Sequence, residues 1–372
     1  MKISIITNEL WPDTGGVGRY VDLLAKGLVE HGAELEVVTH KGHASHQFSG
    51  YKVQPRLYRS FINPLLVLRN ILFLRKYMAK NKIDTSYIFA CYGSLLLGLL
   101  SLPRGKTSYI VIFHGSEFLR CNSISEKSKI FRYLFTRFLA KSIKVVCISR
   151  FVKGLVDRSN FGYRLKDKIE VVYNSVNGFS VNSIDECSRK EKSKIKKEEC
   201  LNLLSVGRLD HRKRIDLLIR AIKLAKREIR LHIVGSGVTS GALVKLTEEL
   251  SLSDKVIFYG RISDEELNNQ YLFADVCVVC AGRHNFTVEG FGLTIVEAAA
   301  RGLKVLAFDV DGAGEVAREI GAAIVQPEIN SIARYLDQFG EETLSKQMGR
   351  EEVMARFSVI SQANKFLELL ES

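Results

Sequence analysis

The chain has no apolar run long enough for a comfortable transmembrane helix. Its most apolar stretch, residues 87–102, stops short of the roughly 20 residues that a bilayer core requires, and Gly93 and Gly98 interrupt it. This stretch predicts a buried strand, a loop and a buried helix. The apolar segment at residues 1–7 is also too short for a secretory signal peptide. Together these absences predict a cytoplasmic protein.

Cysteine is sparse and scattered. The seven cysteines are an odd number without regular spacing, which fits reduced thiols better than a disulfide framework. Cys277 and Cys280 are close together, but they lie in an apolar, strand-like run and no second pair matches them. No zinc site is therefore expected there.

Acidic residues are outnumbered by basic ones. The sequence has 41 Asp and Glu against 54 Lys and Arg, a net charge of +13, so an acidic partner is expected. Residues 127–168 alone contain twelve Lys or Arg and two Asp, interleaved with aromatic residues such as Tyr133 and Phe138. This pattern predicts a face that binds an anionic membrane surface; a core helix with a solvated basic side is the alternative. No nucleic-acid-binding motif is visible, so nucleic acid is not an expected partner.

Strand-like and helix-like runs alternate along the chain. Apolar runs such as residues 34–39 and 109–113 alternate with helical patterns at 21–31 and 127–141, which is typical of a parallel sheet. The charged stretch 183–200 interrupts the alternation, which then resumes.

The predicted fold class is α/β, with two Rossmann-like domains facing a cleft. The predicted domains are an N-terminal, acceptor-side domain at 1–180 and a C-terminal, nucleotide-sugar-binding domain at 181–355. The final helix, within 356–372, is expected to pack back on the first domain.

A glycine-rich loop, which includes Gly15 and Gly16, follows the first predicted strand. Ligands bind at this edge of α/β sheets. The six residues that begin at Gly16 lack the third glycine of a nicotinamide-binding fingerprint, so that cofactor is not expected. We expect a flexible loop whose amides meet a phosphate; a tight turn entering a helix is the alternative.

Two carboxylates, Glu289 and Glu297, flank a predicted helix start. Gly290 and Gly292 precede good helix-forming sequence at 293–300. The free amides of a helix N-terminus favour an anion such as phosphate. Carboxylates on both sides of an anion pocket suit a nucleotide sugar, which has hydroxyls on both sides of its diphosphate. Two solvated acids beside a loop are the alternative.

Arg208 and Lys213 follow the first strand of the second alternation. A guanidinium can hold two phosphate oxygens, and an ammonium adds a mobile point charge. Both would neutralise a diphosphate leaving group as its charge grows. A solvated basic loop is the alternative.

His114 follows the apolar strand 109–113, at the strand end where α/β sheets bind ligands. Taken alone, a structural histidine is the alternative. Asp309 and Asp311 match the Asp-x-Asp pattern of metal-dependent transferases, but they lie between an apolar strand and Gly312. We therefore expect a turn into a helix there, and no metal.

In this order and spacing, the motifs resemble those of the retaining glycosyltransferases of family 4, which have the two-Rossmann GT-B architecture. The resemblance covers nearly the whole chain and is strongest over residues 203–321. It is carried by the Gly15-Gly16 loop, His114-Gly115-Ser116-Glu117, Val172-Tyr173-Asn174-Ser175-Val176-Asn177, Val206-Gly207-Arg208-Leu209 with Lys213, Val234-Gly235-Ser236-Gly237, and residues 289–297. Asn174-Ser175 departs from the Asn-Gly that is common in the family.

The resemblance implies a role for each motif. Gly16 would approach the diphosphate or the acceptor, and His114 would lie beside the anomeric carbon and stabilise its developing positive charge. Arg208 and Lys213 would bind the diphosphate. Glu289 would hold the sugar hydroxyls, and with His114 it forms the expected catalytic pair.

The remaining implied contacts surround the nucleotide. Glu297 would bind the ribose, and Arg261 and Ile262 would border the base. Backbone contacts to sugar and phosphate would come from Phe291, Gly292, Leu293 and Thr294. Such enzymes usually need neither a metal nor a cofactor, because cations and amides stabilise the leaving group of a UDP- or GDP-sugar.

The resemblance thus predicts retaining transfer of a sugar from a nucleotide sugar to a hydroxyl of a glycan or lipid-linked acceptor. The expected setting is bacterial surface polysaccharide synthesis, such as lipopolysaccharide or capsule, by an enzyme on the inner face of the membrane. A GT-B-shaped sugar-nucleotide epimerase and a non-catalytic nucleotide-sugar-binding subunit are the alternatives.

Overall fold

The chain divides into two compact units. The structure, a computed structural model, describes residues 1–10, 15–43, 50–58, 63–80, 85–101, 107–177, 200–339 and 347–371. One unit comprises Met1–Ser175 with Val359–Ser372, and the other comprises Val176–Ser358. The domain boundary predicted at residue 180 and the charged stretch before residue 200 lie outside the described residues.

The first unit contains a seven-stranded parallel sheet with the strand order β3-β2-β1-β4-β5-β6-β7. Its strands read as apolar runs because both faces of a parallel sheet are covered by helices. The strands are β1 (Lys2–Ile6), β2 (Glu34–His40), β3 (Lys52–Leu57), β4 (Thr85–Phe89), β5 (Tyr109–Phe113), β6 (Val145–Cys147) and β7 (Ile169–Val171).

The helices of this unit form two layers. The connections from β3 onward to β7 all advance in one direction across the sheet, whereas those from β1 to β2 and β3 advance in the other. Right-handed crossovers therefore place α1 on one face and the later helices on the other. The helices are α1 (Gly16–Glu30), α2 (Pro64–Lys80), α3 (Tyr92–Ser101), α4 (Ser116–Lys127), α5 (Lys129–Lys141), α6 (Arg150–Asp157) and α7 (Gly162–Leu165).

Contacts between helices agree with this arrangement. In the later layer, α2 contacts α3, α3 contacts α5, and α5 contacts α7. On the opposite face, α1 packs against the C-terminal helix α15 (Val359–Glu371). A Cβ added at Gly27 of α1 would lie 2.6 Å from Cγ1 of Val359, so glycine permits this close approach.

Two helix boundaries differ from the sequence-based prediction. The helix predicted at 127–141 begins at Lys129, because Ser128 adopts an extended backbone and its side chain caps α5 by accepting the amide N–H of Phe131. Lys127 is the last residue of α4. The helix predicted from residue 21 begins at Gly16, so the second glycine of the predicted loop is the first residue of α1.

The second unit contains a six-stranded parallel sheet with the order β10-β9-β8-β11-β12-β13. Its strands are β8 (Leu201–Val206), β9 (Ile229–Val234), β10 (Val256–Gly260), β11 (Val276–Val279), β12 (Lys304–Phe308) and β13 (Ala323–Val325). Its helices are α8 (Ile215–Leu224), α9 (Ser240–Glu249), α10 (Asp264–Phe273), α11 (Leu293–Ala300), α12 (Asp311–Glu319), α13 (Ile329–Asp337) and α14 (Arg350–Phe357).

Each unit is thus a Rossmann-like α/β domain. The order of the second sheet reverses direction at β8, so the loops after β8 and β11 meet at the switch point where such folds bind ligands. Among the described residues, no helix combines the length and apolar character needed to cross a bilayer.

Candidate active site

His114 lies at the carboxyl end of β5 in a partly buried position. Its Nε2 lies 3.0 Å from the carbonyl oxygen of Ala90, and its ring meets the ring of Tyr20 edge to face at 4.8 Å. Because a carbonyl only accepts, Nε2 carries the proton and Nδ1 keeps its lone pair in the neutral ring. Burial lowers the pKa of His114 to about 4, although the bond to Ala90 acts in the opposite direction. The imidazole is therefore neutral at pH 7.

Glu117, in the first turn of α4, fixes the backbone that carries His114. Its carboxylate accepts the amide N–H groups of both His114 and Gly115, the latter at 3.1 Å. The residue is 7% exposed, and burial raises its pKa to about 7 despite these bonds, with a smaller contribution from the charge of Glu9. Sequence reasoning quoted Glu117 within a motif but assigned it no role.

The glycine loop lies next to His114 within the first unit. Tyr20, which contacts the His114 ring, belongs to α1, and Gly15 and Gly16 form the start of the same helix. A Cβ added at Gly15 would lie 3.5 Å from Oε2 of Glu9, so that carboxylate is also close. The structure therefore brings the glycine pair and His114 to one edge of the first sheet.

In the second unit, Glu289 is held by two cations from the segment after β8. Lys213 Nζ donates to Glu289 Oε2 at 2.6 Å, and Arg212 donates to the same oxygen. All three side chains are at most 14% exposed. Burial by itself raises the pKa of Glu289, but Lys213 and Arg212 outweigh it and lower the pKa to about 2.

Arg212 is a site residue that sequence reasoning missed. A short 3₁₀ helix, His211–Lys213, brings Arg212 and Lys213 to the same carboxylate. The signal was present as a run of adjacent basic residues, but a run of this kind does not reveal which members point inward.

Arg208, the other cation predicted to bind diphosphate, lies in a different environment. Its side chain is 58% exposed, and its Nε donates to Asp210 at 3.0 Å. It nevertheless lines the same depression as Lys213, together with Gly207 and with Cys280 after β11. The structure thus brings both predicted phosphate-binding cations to one place.

The loop between Glu289 and α11 is shaped by glycine. Gly292 caps α11 with φ 79°, a left-handed conformation that glycine adopts without strain. Gly312 donates its amide to the Glu289 carbonyl at 2.8 Å, and a Cβ added there would lie 2.1 Å from the Gly290 carbonyl oxygen. Leu293 and Thr294 occupy the first turn of α11, where amides lack partners within the helix. The predicted anion pocket is therefore a helix N-terminus in the structure.

Phe291 is available only through its backbone. Its side chain is 2% exposed and meets Phe357 edge to face at 6.2 Å. The ring is therefore not available to stack on a ligand, and the backbone contact of Phe291 stays a prediction.

Glu297 lies one turn inside α11 and is 8% exposed. Tyr271 donates its hydroxyl to Glu297 Oε2 at 3.3 Å. Arg301 donates to the Glu297 carbonyl at 2.9 Å and lies 4.4 Å over the Tyr271 ring. Tyr271 and Arg301 were not predicted from sequence, and they hold the helix segment that carries Glu297.

Arg261 and Ile262 follow β10, at the edge of the second sheet. Arg261 is exposed and donates its Nε to the Ser236 hydroxyl at 3.1 Å, while Ile262 is half-buried. The loop after β10 is thereby tied to the Val234-Gly235-Ser236-Gly237 motif.

The Asp-x-Asp segment forms a turn that leads into α12, and both carboxylates have arginine partners. Asp309 pairs with Arg318 at 2.5 Å, and Asp311 pairs with Arg283 at 2.6 Å. Within the described ranges, no group of three or more His, Cys, Asp or Glu is arranged to hold a metal ion.

Two family models match the chain in the two regions that form the two units. The model described as Glycosyltransferase Family 4 matches residues 14–177, and the model described as Glycosyl transferases group 1 matches residues 188–352. Together they cover most of the sequence.

Relatives and solved structures agree with these matches. An uncharacterised glycosyltransferase of Methanocaldococcus jannaschii is 27% identical over 96% of this chain and 95% of its own length. The Campylobacter jejuni N-acetylgalactosamine-N,N'-diacetylbacillosaminyl-diphospho-undecaprenol 4-alpha-N-acetylgalactosaminyltransferase is 27% identical over 66% of this chain and 64% of its own length.

Among solved structures, the sucrose-phosphate synthase of Thermosynechococcus elongatus has a TM-score of 0.76 at 22% identity and covers all of this chain and 98% of that one. Anabaena HepE in complex with UDP-glucose has a TM-score of 0.72 at 18% identity, covering 100% and 99%. These likenesses show the GT-B fold. The two family models, together with the full-length relative, establish that the chain belongs to the family 4 glycosyltransferases.

Proposed function

We propose that this glycosyltransferase moves a sugar from a nucleotide sugar to a hydroxyl of a glycan or lipid-linked acceptor, with retention and without a metal. One arrangement carries the proposal: Glu289, held by Lys213 and Arg212, stands before the N-terminus of α11, and Glu297 stands one turn inside it. Hydroxyl-binding carboxylates thus lie on both sides of an anion-binding helix start.

The second unit offers the diphosphate of the donor both hydrogen-bond donors and positive charge. The first-turn amides of α11, including those of Leu293 and Thr294, offer unpaired donors, and Arg208 and Lys213 add positive charge beside them. These groups stabilise the nucleoside diphosphate as it departs with the bonding electrons of the glycosidic bond. Lys213 is pre-positioned by Glu289, so less side-chain freedom is lost when the donor binds.

His114 suits the electron-poor sugar of the transition state. A neutral ring with a free lone pair on Nδ1 can accept a hydrogen bond from a sugar hydroxyl, and it adds no positive charge beside an anomeric carbon that is itself becoming positive. The acceptor oxygen forms its bond on the face that the diphosphate leaves. The departing phosphate oxygen takes the acceptor's proton, so the products are a nucleoside diphosphate and the glycoside.

Two observations favour the metal-free form of this reaction. Asp309 and Asp311, the Asp-x-Asp candidates, each have an arginine partner. The site also contains its own cations beside the proposed diphosphate position. We expect activity to survive saturating EDTA; complete loss that manganese restores would contradict this part of the proposal.

The Campylobacter relative supports a lipid-linked acceptor, because its name specifies transfer to a diphospho-undecaprenol-linked glycan. A galactosyltransferase of the lipopolysaccharide outer core shares the fold and supports the same kind of pathway. We therefore propose that the enzyme acts in cytoplasmic synthesis of a bacterial surface polysaccharide, at the inner face of the membrane.

The test is a melting-temperature screen of UDP- and GDP-sugars, followed by transfer assays with the donor that binds. Retention predicts that the new linkage has the anomeric configuration of the donor, read by NMR of the product. An inverted linkage would contradict the proposal. Release of free sugar and nucleotide in the absence of acceptor would favour the epimerase alternative, and donor binding without any turnover would favour a non-catalytic subunit.

A further inference from the structure

Four contacting helices on one face of the first unit, which we call the acid-free layer, contain no acidic residue. The other helices of that face, α4 and α6, contain Glu117, Glu126 and Asp157. The helices α2, α3, α5 and α7 together contain nine Lys and Arg and no Asp or Glu. The layer on the opposite face, α1 and α15, contains three Lys and Arg and four Asp and Glu. The two layers cover the same sheet, so the charge difference is not a general property of the unit.

The acid-free layer also presents apolar side chains outward. On α2, Leu65, Leu68 and Leu72 follow a helical spacing of three and four residues and are 71%, 51% and 56% exposed. On α5, Ile130 and Tyr133 are exposed at the same spacing. Transfer of these side chains from water to an apolar environment would be favourable, and they are not buried within the protein itself.

Helix α5 has two apolar faces. Phe135, Phe138 and Leu139 are buried and supply the face that the fold uses. Ile130 and Tyr133 lie on the other face, beside Arg137. A helix that only had to pack on its sheet would need the inner face alone.

Four of the basic side chains line a groove between α5 and α7. It encloses about 730 Å³ and is lined by Lys129, Arg132, Arg137 and Arg164, with Tyr133 among them. In the part of the chain that the structure describes, no carboxylate pairs with any of these four cations. Tyr163, adjacent to Arg164, is 94% exposed.

We propose that this acid-free layer of α2, α3, α5 and α7 docks the enzyme onto an anionic lipid bilayer. The cations of the groove bind lipid phosphates, and Leu65, Leu68, Ile130 and Tyr133 enter the interfacial region. Exposed aliphatic side chains between the cations favour a bilayer over nucleic acid, which offers phosphates but little surface for leucine and isoleucine. Docking does not depend on the sugar that is transferred, and its test does not measure transfer.

The charge is tested by flotation with phosphatidylcholine vesicles, with and without phosphatidylglycerol. The variant is Arg132→Gln/Arg137→Gln/Arg164→Gln. At about fivefold per cation, it should lower partitioning onto anionic vesicles on the order of a hundredfold at low salt. The control, Lys223→Gln/Lys226→Gln/Lys245→Gln, removes the same charge from exposed positions of the second unit and should bind like the unsubstituted protein. Equal losses in both variants, or equal binding to vesicles without phosphatidylglycerol, would overturn the proposal.

The surface that contacts the vesicle is identified by tryptophan fluorescence in a Trp11→Phe background, which removes the single native tryptophan. Tyr133→Trp should show a blue shift on anionic vesicles, whereas Ile360→Trp, at a 54% exposed position on α15, should not. Circular dichroism checks that each variant is folded. A blue shift at position 360 alone, or none at position 133, would assign docking to another surface. Displacement from vesicles by DNA at equal phosphate concentration would favour nucleic acid as the partner instead.

Discussion

Glu117 and Glu289 are both shielded from water at the carboxyl ends of strands, yet their pKa values move in opposite directions. Glu117 faces amide N–H groups, and burial raises its pKa to about 7. Glu289 faces Lys213 and Arg212, which lower its pKa to about 2 despite burial. The comparison shows that amide dipoles do not offset the loss of hydration here, whereas two full charges more than offset it.

Removing the Glu289 carboxylate should have the largest effect. Glu289→Ala leaves two cations nearly buried without their shared partner, so we expect a loss of about 3–5 kcal/mol in the free energy of unfolding of the second unit. Denaturant unfolding of wild type and variant measures it. The control is Arg208→Ala, which breaks an exposed pair with Asp210. It should lower the free energy of unfolding by no more than about 1 kcal/mol. Equal losses would mean that the buried cluster is not an energetic unit.

The two carboxylates should affect stability in different pH ranges. Both start from an ordinary pKa near 4.5. The contribution of Glu289 is present above about pH 4.5 and is lost as pH falls toward 2. That of Glu117 is present below about pH 4.5 and is lost as pH rises toward 7. Each shift corresponds to about 3 kcal/mol.

Glu117→Gln isolates the second of these contributions, because the amide oxygen still accepts the two backbone N–H groups. The difference in unfolding free energy between wild type and variant should change by about 3 kcal/mol between pH 4.5 and pH 7.5. Taking the difference cancels His114, whose own lowered pKa removes stability as pH falls from 6.5 toward 4. A difference that does not vary with pH would show that the carboxylate is solvated.

His114 extends the comparison to catalysis, because Glu117 fixes its backbone. His114→Ala should lower kcat on the order of a hundredfold, the scale of losing one electrostatic stabiliser, with little change in donor affinity. Steady-state kinetics and donor titration separate the two quantities. Near-normal kcat with much weaker donor binding would assign His114 to substrate positioning.

Glu297 is a third buried carboxylate, and the Tyr271 hydroxyl donates to it. Glu297→Ala should weaken nucleoside diphosphate binding by about 1–3 kcal/mol, the scale of a lost hydrogen bond to a charged group. Tyr271→Phe, which removes only the hydroxyl beside Glu297, should cost less, about 0.5–1.5 kcal/mol. Calorimetry measures both; unchanged affinity in Glu297→Ala would refute the assignment to ribose.

The fold was predictable because its signals are local. Alternating apolar and helical runs identified the strands, and glycine with helix-forming residues marked the start of α11. The errors were local as well. The Ser128 cap starts α5 two residues later than predicted, and α1 includes the glycine at position 16. Propensity alone does not place such boundaries.

The pairing within the site was less predictable because it is not local. Arg212 and Glu289 are 77 residues apart in sequence and meet only because β8 and β11 are neighbours. The raised pKa of Glu117 depends on its burial, which cannot be predicted from the spacing of residues in the sequence. The sequence predicted which candidate residues lie at the carboxyl ends of the strands. It did not predict which of them form ion pairs or how their pKa values shift.

The packing of α15 against α1 has a consequence for synthesis on the ribosome. The residues of α15 emerge only after the whole second unit has been made. Until then, the face of α1 that carries Gly27 has no partner, although every strand of the first sheet is already available. The first unit therefore reaches its final form last, and its uncovered apolar face is the surface that chaperones would protect in the nascent chain.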